Sequence, residues 1–532
     1  MTDARWLRPV AVLLASLAGA PAFAATCESL SSLALPATVI ASAQSVPAGP
    51  FTGPQGPSLG TLPASCRVAG TIKPSADSDI QFEVWLPESG WNGKFKGAGN
   101  GGFGGSLSRG SLARAVSAGY AAATTDTGHR GEATDASWAL GHPEKVADFG
   151  YRAIHEMTVT GKAIAAAFYG RPVQRAYFHA CSNGGRQALM EAQRFPDDYD
   201  GILAGAPASH WTHLLAQAAW DMQATLGDPA AYIPAAKVPA IEAATLAQCD
   251  AADGVPDGVL DDPTACALRP ASLLCPGADT DGCLTPPQVG ALEKLLAGPR
   301  TAAGQVHPGH VLGGATGPGS WPLWITGPEA GKSLIGIFGT QFFRNMVFED
   351  PSWDFRAFQL ERDLKTADDK LARVLNATDP DLGGFRRRGG KLIVYHGWSD
   401  AAISPLSAIA YYDSVKAKMG VAEADEFVRL FMLPGVQHCD GGPGPTGWTG
   451  TSALRKDAQH DVEAALERWV EEGVAPVQII AAKYETGSDP ASGVVRTRPL
   501  CPYPQVARYK GSGSPDDAGS FTCAAGTRSP PR

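Results

Sequence analysis

An α/β core interrupted by one large insertion is the fold this sequence predicts, and three observations predict it. A short apolar strand, Ala176-Tyr177-Phe178-His179, runs into the tight turn Ala180-Cys181-Ser182-Asn183-Gly184-Gly185 and then into a helix-like run ending at Phe195-Pro196. Two further strand-then-loop units come much later: Leu392-Ile393-Val394-Tyr395 leads to Ser399-Asp400, and Leu430-Phe431-Met432-Leu433 leads to Gln437-His438. More than two hundred residues separate Ser182 from Asp400, far more than the intervening strands and helices need.

Composition agrees with such a fold. The 532 residues are 44% apolar and 18% charged, enough for a large core, and this excludes disorder and coiled coil. Gly and Pro number 62 and 42, which points to many ordered turns rather than to a helical bundle. The net charge of −9, with no run of Lys or Arg, excludes a nucleic-acid partner.

From the N-terminus, Arg5 and Arg8, the apolar stretch Val10 to Leu17 and the small-residue site Ala22-Phe23-Ala24 read as an export signal over residues 1–24. No later apolar run approaches the roughly 18 residues of a membrane span, so the expected location is the periplasm or the medium, with no membrane partner. In an oxidising compartment ten cysteines imply disulfides. Cys249 and Cys266, Cys275 and Cys283, and Cys501 and Cys523 are near neighbours, and Cys27 and Cys66 frame the start of the mature chain. Cys181 and Cys439 are left over, and each adjoins a residue of chemical interest.

Residues 25–208 form the first part of the expected core. Trp91-Asn92-Gly93-Lys94-Phe95 leads to a Gly-rich strand-end loop at residues 97–105. A nucleotide-binding reading of those glycines fails for want of a following helix with a downstream acid. In the turn around Ser182, small residues two before and two after the serine allow a strained elbow that presents the hydroxyl above a parallel sheet. The strand Gly201-Ile202-Leu203-Ala204 follows.

The insertion is expected at residues 209–385, closing before Arg386-Arg387-Arg388. Trp321, Trp324, Phe338, Phe342, Phe343, Phe348 and Trp353 supply its own core, with one or two facing the serine. Asp250, Asp253, Asp257 and Asp261 crowd one Gly-containing loop. Such a loop is either a hard-cation site or a solvated acidic turn, and its spacing is not that of an EF-hand.

Residues 386–532 complete the core. An elbow serine followed in chain order by an acid and a histidine, each just past a strand end, is the arrangement of the α/β-hydrolase fold. Val462, Leu466, Trp469 and Val470 then recur at helical spacing and close one face of the sheet. The polar tail after Ala524 predicts disorder.

The chemistry follows from these residue types. Ser182 is a poor nucleophile until His438 removes its proton, and Asp400 fixes the imidazole tautomer. The tetrahedral intermediate needs two N–H donors, one from Asn183 and one from the loop at residues 97–105.

With Cys181 beside the serine and Cys439 beside the histidine, the chain resembles the tannase and feruloyl esterase family. Further motifs carry the resemblance: Trp91-Asn92-Gly93, Asn100-Gly101-Gly102, Thr125-Asp126-Thr127-Gly128-His129, Tyr395-His396-Gly397, Gly441-Gly442-Pro443-Gly444 and Arg498-Pro499-Leu500-Cys501-Pro502-Tyr503-Pro504. The resemblance implies a serine carboxylic-ester hydrolase with an acyl-enzyme at Ser182, a Cys181–Cys439 disulfide, and Gly102 with Asn183 as oxyanion donors. It further implies that the insertion is a lid with a structural Ca²⁺, held by the side chains of Asp250, Asp253 and Asp257 and the carbonyls of Val255 and Val259. A bridge between Cys181 and Cys439 would tie the elbow to the histidine loop and keep the two side chains at a fixed separation.

One departure bears on substrate. The family's mono(2-hydroxyethyl) terephthalate hydrolase uses a lid arginine for a free carboxylate, and residues 331–338 contain none, while Lys332 and Arg344 are off register. A small aromatic ester of hydroxycinnamate or gallate type is therefore the expected partner, with a terephthalate monoester or another carboxylic ester as the alternative. An inert binding module would be expected to lack a triad member, and all three are present. A peptidase or lipase on the same fold is the enzymatic rival.

Overall fold

The computed structural model describes residues 24–52 and 58–526. The export-signal reading lies outside the described residues up to Phe23, as does the tail after Gly526.

Nine strands form one mixed sheet: β1 (Thr38–Val46), β2 (Ser65–Ile72), β3 (Ile80–Pro87), β4 (Lys94–Ala98), β5 (Ala121–Thr125), β6 (Arg175–Cys181), β7 (Gly201–Gly205), β8 (Lys391–Gly397) and β9 (Val428–Leu433). Their spatial order is β1-β2-β3-β5-β4-β6-β7-β8-β9. The pairs β1/β2, β2/β3 and β3/β5 are antiparallel, and every pair from β5/β4 to β8/β9 is parallel. Burial follows this division. β2 largely alternates buried and half-buried residues, whereas β5 and β7 are buried throughout, as strands covered on both faces must be.

Successive side chains along the central strands enter opposite cores. Phe178, Ile202, Val394 and Leu430 join one apolar cluster with Ile154, Met157 and Leu189, from helices α1 (Ala153–Tyr169) and α2 (Asn183–Arg194). Tyr177, Leu203, Ile393 and Phe431 face the other, which is closed by α6 (Val462–Glu472) through Val462, Leu466 and Trp469.

Between β7 and β8 the chain leaves the sheet and builds, among other elements, α3 (Trp211–Leu226), α4 (Leu334–Phe342) and α5 (Leu360–Leu375). These helices share one apolar cluster with residues of the sheet's loops: Trp211, Leu215, Phe342 and Leu371 meet Phe103, Phe149 and Ile403. The inserted segment is thus packed onto the edge where the parallel strands end. Five disulfides join Cys27 to Cys66, Cys181 to Cys439, Cys249 to Cys266, Cys275 to Cys283 and Cys501 to Cys523.

Candidate active site

Ser182 follows β6 directly and precedes α2, with φ +67° and ψ −125°. Small neighbours are what allow this turn. A Cβ on Gly184 would lie 2.4 Å from Ala180 Cβ, and one on Gly185 would lie 2.1 Å from the Gly205 carbonyl oxygen. The turn is pinned by Ser182 N–H to Gly205 O (2.9 Å) and by Ala208 N–H to Ser182 O (3.2 Å).

Asp400 lies three residues past β8 and His438 five past β9, so all three side chains gather at one sheet edge. His438 Nε2 is 2.9 Å from Ser182 Oγ, and His438 Nδ1 is 2.8 Å from Asp400 Oδ2. Asp400 is buried and fully supplied with donors: the Ala402 and Ile403 N–H groups give to Oδ1 at 2.8 and 2.9 Å, and His396 Nε2 lies 3.0 Å from Oδ2. Burial alone would push its carboxyl up, but His438 and His396 outweigh it and hold the group below the usual carboxylate range. Asp400 is therefore ionised wherever the protein is folded near neutrality, and it fixes the imidazole with Nδ1 protonated and Nε2 turned to the serine.

Ser182 and His438 open into a cavity lined by Gly102, Asn183, Ala208, Trp211, Leu214, Leu215, Trp324, Ile335, Phe338, Ala402 and Ile403. The N–H groups of Gly102 and Asn183 have no protein acceptor among the described residues. Gly102 has φ +52°, and a Cβ there would lie 2.2 Å from the Ala133 carbonyl oxygen, so glycine is required. The loop that carries it is held by Asn100, whose Nδ2 donates to Ser106 O at 2.7 Å and to Thr125 O at 2.8 Å. Beyond the serine, the histidine and the two N–H donors, the wall is apolar and three of its residues are aromatic. Trp324 stands edge-on to His438, with ring centroids 4.9 Å apart, and stacks on Phe338 at 6.2 Å. The arrangement can add a hydroxyl to a carbonyl, receive the resulting oxyanion and hold an aryl or alkyl group.

The tannase and feruloyl esterase family model matches residues 66–524. The chain belongs to that family. An uncharacterized esterase of Xanthomonas campestris pv. campestris is 47% identical over 97% of this chain and 94% of its own. The mono(2-hydroxyethyl) terephthalate hydrolase of Piscinibacter sakaiensis is 36% identical over 92% and 89%. Feruloyl esterase B from Aspergillus oryzae superposes with a TM-score of 0.84 at 31% identity, over 94% of this chain and 99% of that one. This tannase-family protein is accordingly a carboxylic ester hydrolase with an α/β-hydrolase fold.

Several residues of the candidate site are not marked by the sequence. His396 gives Asp400 a second imidazole, a role that a histidine four residues ahead of an acid at a strand end could have suggested. Trp211, Leu214 and Leu215 sit on one face of α3 at helical spacing, but nothing in the sequence says that this face looks at Ser182. Of the aromatic residues between Trp321 and Trp353, Trp324 and Phe338 line the cavity, while Phe342, Phe343 and Trp353 lie in the apolar cluster behind it.

The acidic loop lies elsewhere. Asp250 accepts from the Gly258 N–H at 3.0 Å, Asp253 from Val255 N–H at 2.9 Å, and Asp257 from Val259 N–H at 3.1 Å. Arg496 also pairs with Asp257 Oδ2, at 2.7 Å, and Arg498 joins it there at 2.5 Å. Burial raises the carboxyls of Asp253, Asp257 and Asp261, the last to about 8. Asp261 is buried, and its carboxylate has no hydrogen bond among the described residues. Hard oxygen donors in a half-buried loop suit Ca²⁺ by their chemistry. Among the described residues, however, no three His, Cys, Asp or Glu side chains stand together as a ready metal cage.

Proposed function

We propose that this protein is an exported serine esterase that cleaves aromatic esters of hydroxycinnamate or gallate type, with Ser182 as nucleophile, His438 as base and acid, and Asp400 as its orienting partner. Ser182 Oγ adds to the ester carbonyl carbon as its proton passes to His438 Nε2, and the carbonyl oxygen becomes an oxyanion held by Gly102 and Asn183 N–H. The intermediate collapses by breaking the bond to the alcohol oxygen, which leaves with the proton from His438. Water then adds to the acyl-enzyme by the same route and releases the acid and Ser182.

The observation that carries this reading is the hydrogen-bonded line from Asp400 through His438 to Ser182, ending in an apolar, aromatic-walled cavity. Export is supported by five disulfides. No helix among the described residues is long and apolar enough to cross a membrane. Among the described residues the cavity wall holds no Asp, Glu, Lys or Arg, which argues against a substrate with a second, free carboxylate. Ca²⁺ would have to draw the side chains of Asp250, Asp253 and Asp257 together with the carbonyls of Val255 and Val259, since among the described residues no three acids stand there as a ready cage. It would neutralise the buried acids there and take no part in the ester chemistry.

A panel of methyl ferulate, methyl gallate, a terephthalate monoester and p-nitrophenyl acetate tests the reading. Hydrolysis of ferulate or gallate at least about tenfold faster than of the terephthalate monoester supports it; the reverse order overturns the substrate class.

A further inference from the structure

Arg186 lies one turn into α2, four residues after Ser182, and is fully buried. Among the described residues its guanidinium meets no carboxylate. Nε donates to Asn183 Oδ1 at 2.8 Å, one terminal nitrogen to the carbonyls of Gly150 (2.6 Å) and Leu375 (3.4 Å), and the other to that of Phe149 (3.0 Å). The rings of Phe149 and Trp211 flank it, with centroids 4.9 and 5.3 Å from its central carbon. Every partner is neutral, so the charge is solvated by the protein but not cancelled. Burial also works against its cationic form.

A neutral amide could tie α2 to the Phe149 turn and to the end of α5. A full positive charge at that point is costly unless a negative charge arises near it at some stage. Two neighbours of Arg186 belong to the reaction centre: Asn183 and Trp211 both line the cavity that holds Ser182.

We infer that Arg186 is a positioning residue that fixes Asn183 and gives the oxyanion hole a standing positive potential, its missing counter-charge being the anion that forms on the substrate carbonyl oxygen. This inference rests on Ser182 being the nucleophile. Such a potential acts on charge that develops after binding, so it raises kcat and leaves KM alone. The same charge placed behind the wall also explains how a cavity lined by no Lys or Arg among the described residues can favour an anionic intermediate.

The test begins with wild-type protein and a fluorophosphonate. Labelling at a residue other than Ser182 overturns the nucleophile assignment and this inference together; labelling at Ser182 isolates the question of Arg186. R186Q and R186K are then compared by kcat and KM for p-nitrophenyl acetate and by inhibition with phenylboronic acid, whose adduct with a serine hydroxyl is a tetrahedral anion. R186Q is expected to lose about ten- to a hundredfold in kcat and in boronate affinity, with KM within about twofold of wild type. R186K keeps the charge and is expected to retain most of the boronate affinity near pH 6. Its kcat should then fall at alkaline pH as the buried ammonium loses its proton, a limb the wild type lacks. A folded R186Q that binds boronate as the wild type does, or an R186K profile that parallels the wild type at all pH values, overturns the inference. Should R186Q fail to fold, the R186K profile decides alone.

Discussion

At Ser182 the backbone sits at φ +67°, a region that a residue with a side chain enters only where its surroundings impose it. The surroundings here are Gly184 and Gly185, which let α2 lie against Ala180 and the Gly205 carbonyl. Gly185→Ala should force α2 off β7 and destabilise the fold by about 1–3 kcal/mol or more, read as a drop in melting temperature with less folded protein recovered. Ser182→Ala fits the same space, so it should leave stability intact while lowering turnover by at least about a thousandfold. A variant that keeps a tenth of wild-type turnover would refute the role of Ser182. The serine, acid and histidine were legible in the sequence because the elbow demands small residues at fixed offsets and the strands before Asp400 and His438 are short and apolar. Arg186 was not legible. Its burial depends on carbonyls of Gly150 and Leu375, far off in the chain, and an arginine in a helix otherwise reads as surface.

The elbow and the histidine loop are separate elements, and Cys181–Cys439 is the covalent link between them, with Cα atoms 5.9 Å apart. Closing so long a loop, 258 residues, stabilises by as much as about 5–6 kcal/mol in the chain-entropy account. Its larger effect should be on alignment, because an ångström of misplacement can cost about a hundredfold in rate. Replacing both cysteines by Ala should therefore cut kcat well beyond the loss of folded protein, measured at a temperature where the variant is still folded; full activity there would contradict this. The acidic loop 250–261 calls for a different test. If Ca²⁺ binds the folded state alone, chelation should lower the melting temperature while leaving the Ser182–His438 pair competent. The loss would be about 3 kcal/mol from a hundredfold excess over Kd. Elemental analysis without calcium in protein never exposed to chelator would leave those aspartates as a solvated turn. The strands before Ser182, Asp400 and His438 were legible to within a residue or two, whereas β4 runs on to Ala98, into the stretch read as loop, and β5 was not read as a strand. Which helical faces of the insertion look inward was not legible, since that is decided by the contacts of Phe103, Phe149 and Ile403 with α3 to α5.

Across the whole molecule, burial leaves several histidines uncharged. Desolvation holds His129 and His210 down to about 4 and His307 to about 3, against an ordinary value of 6.5. The unfolded chain binds protons at these positions below about pH 6.5 while the folded chain does not. Stability is therefore complete above that pH and is lost as pH falls toward 4, by roughly 3 kcal/mol for a histidine held at about 4. Thermal melts between pH 7 and 4 should show the decline, and His307→Gln should flatten it; a flat wild-type curve would contradict the assignment of neutral buried imidazoles. The insertion, the sheet and the loops between them meet at the candidate site, and the claim on which the rest depends is that an ester's acyl group is carried on Ser182. Rapid acid quench of the enzyme with p-nitrophenyl ferulate, followed by peptide mass mapping, tests it most directly. The expected result is one ferulyl group on the peptide containing Ser182, appearing with a burst of one p-nitrophenol per protein and absent from Ser182→Ala. An acyl group on any other residue, or steady turnover by Ser182→Ala, would contradict it.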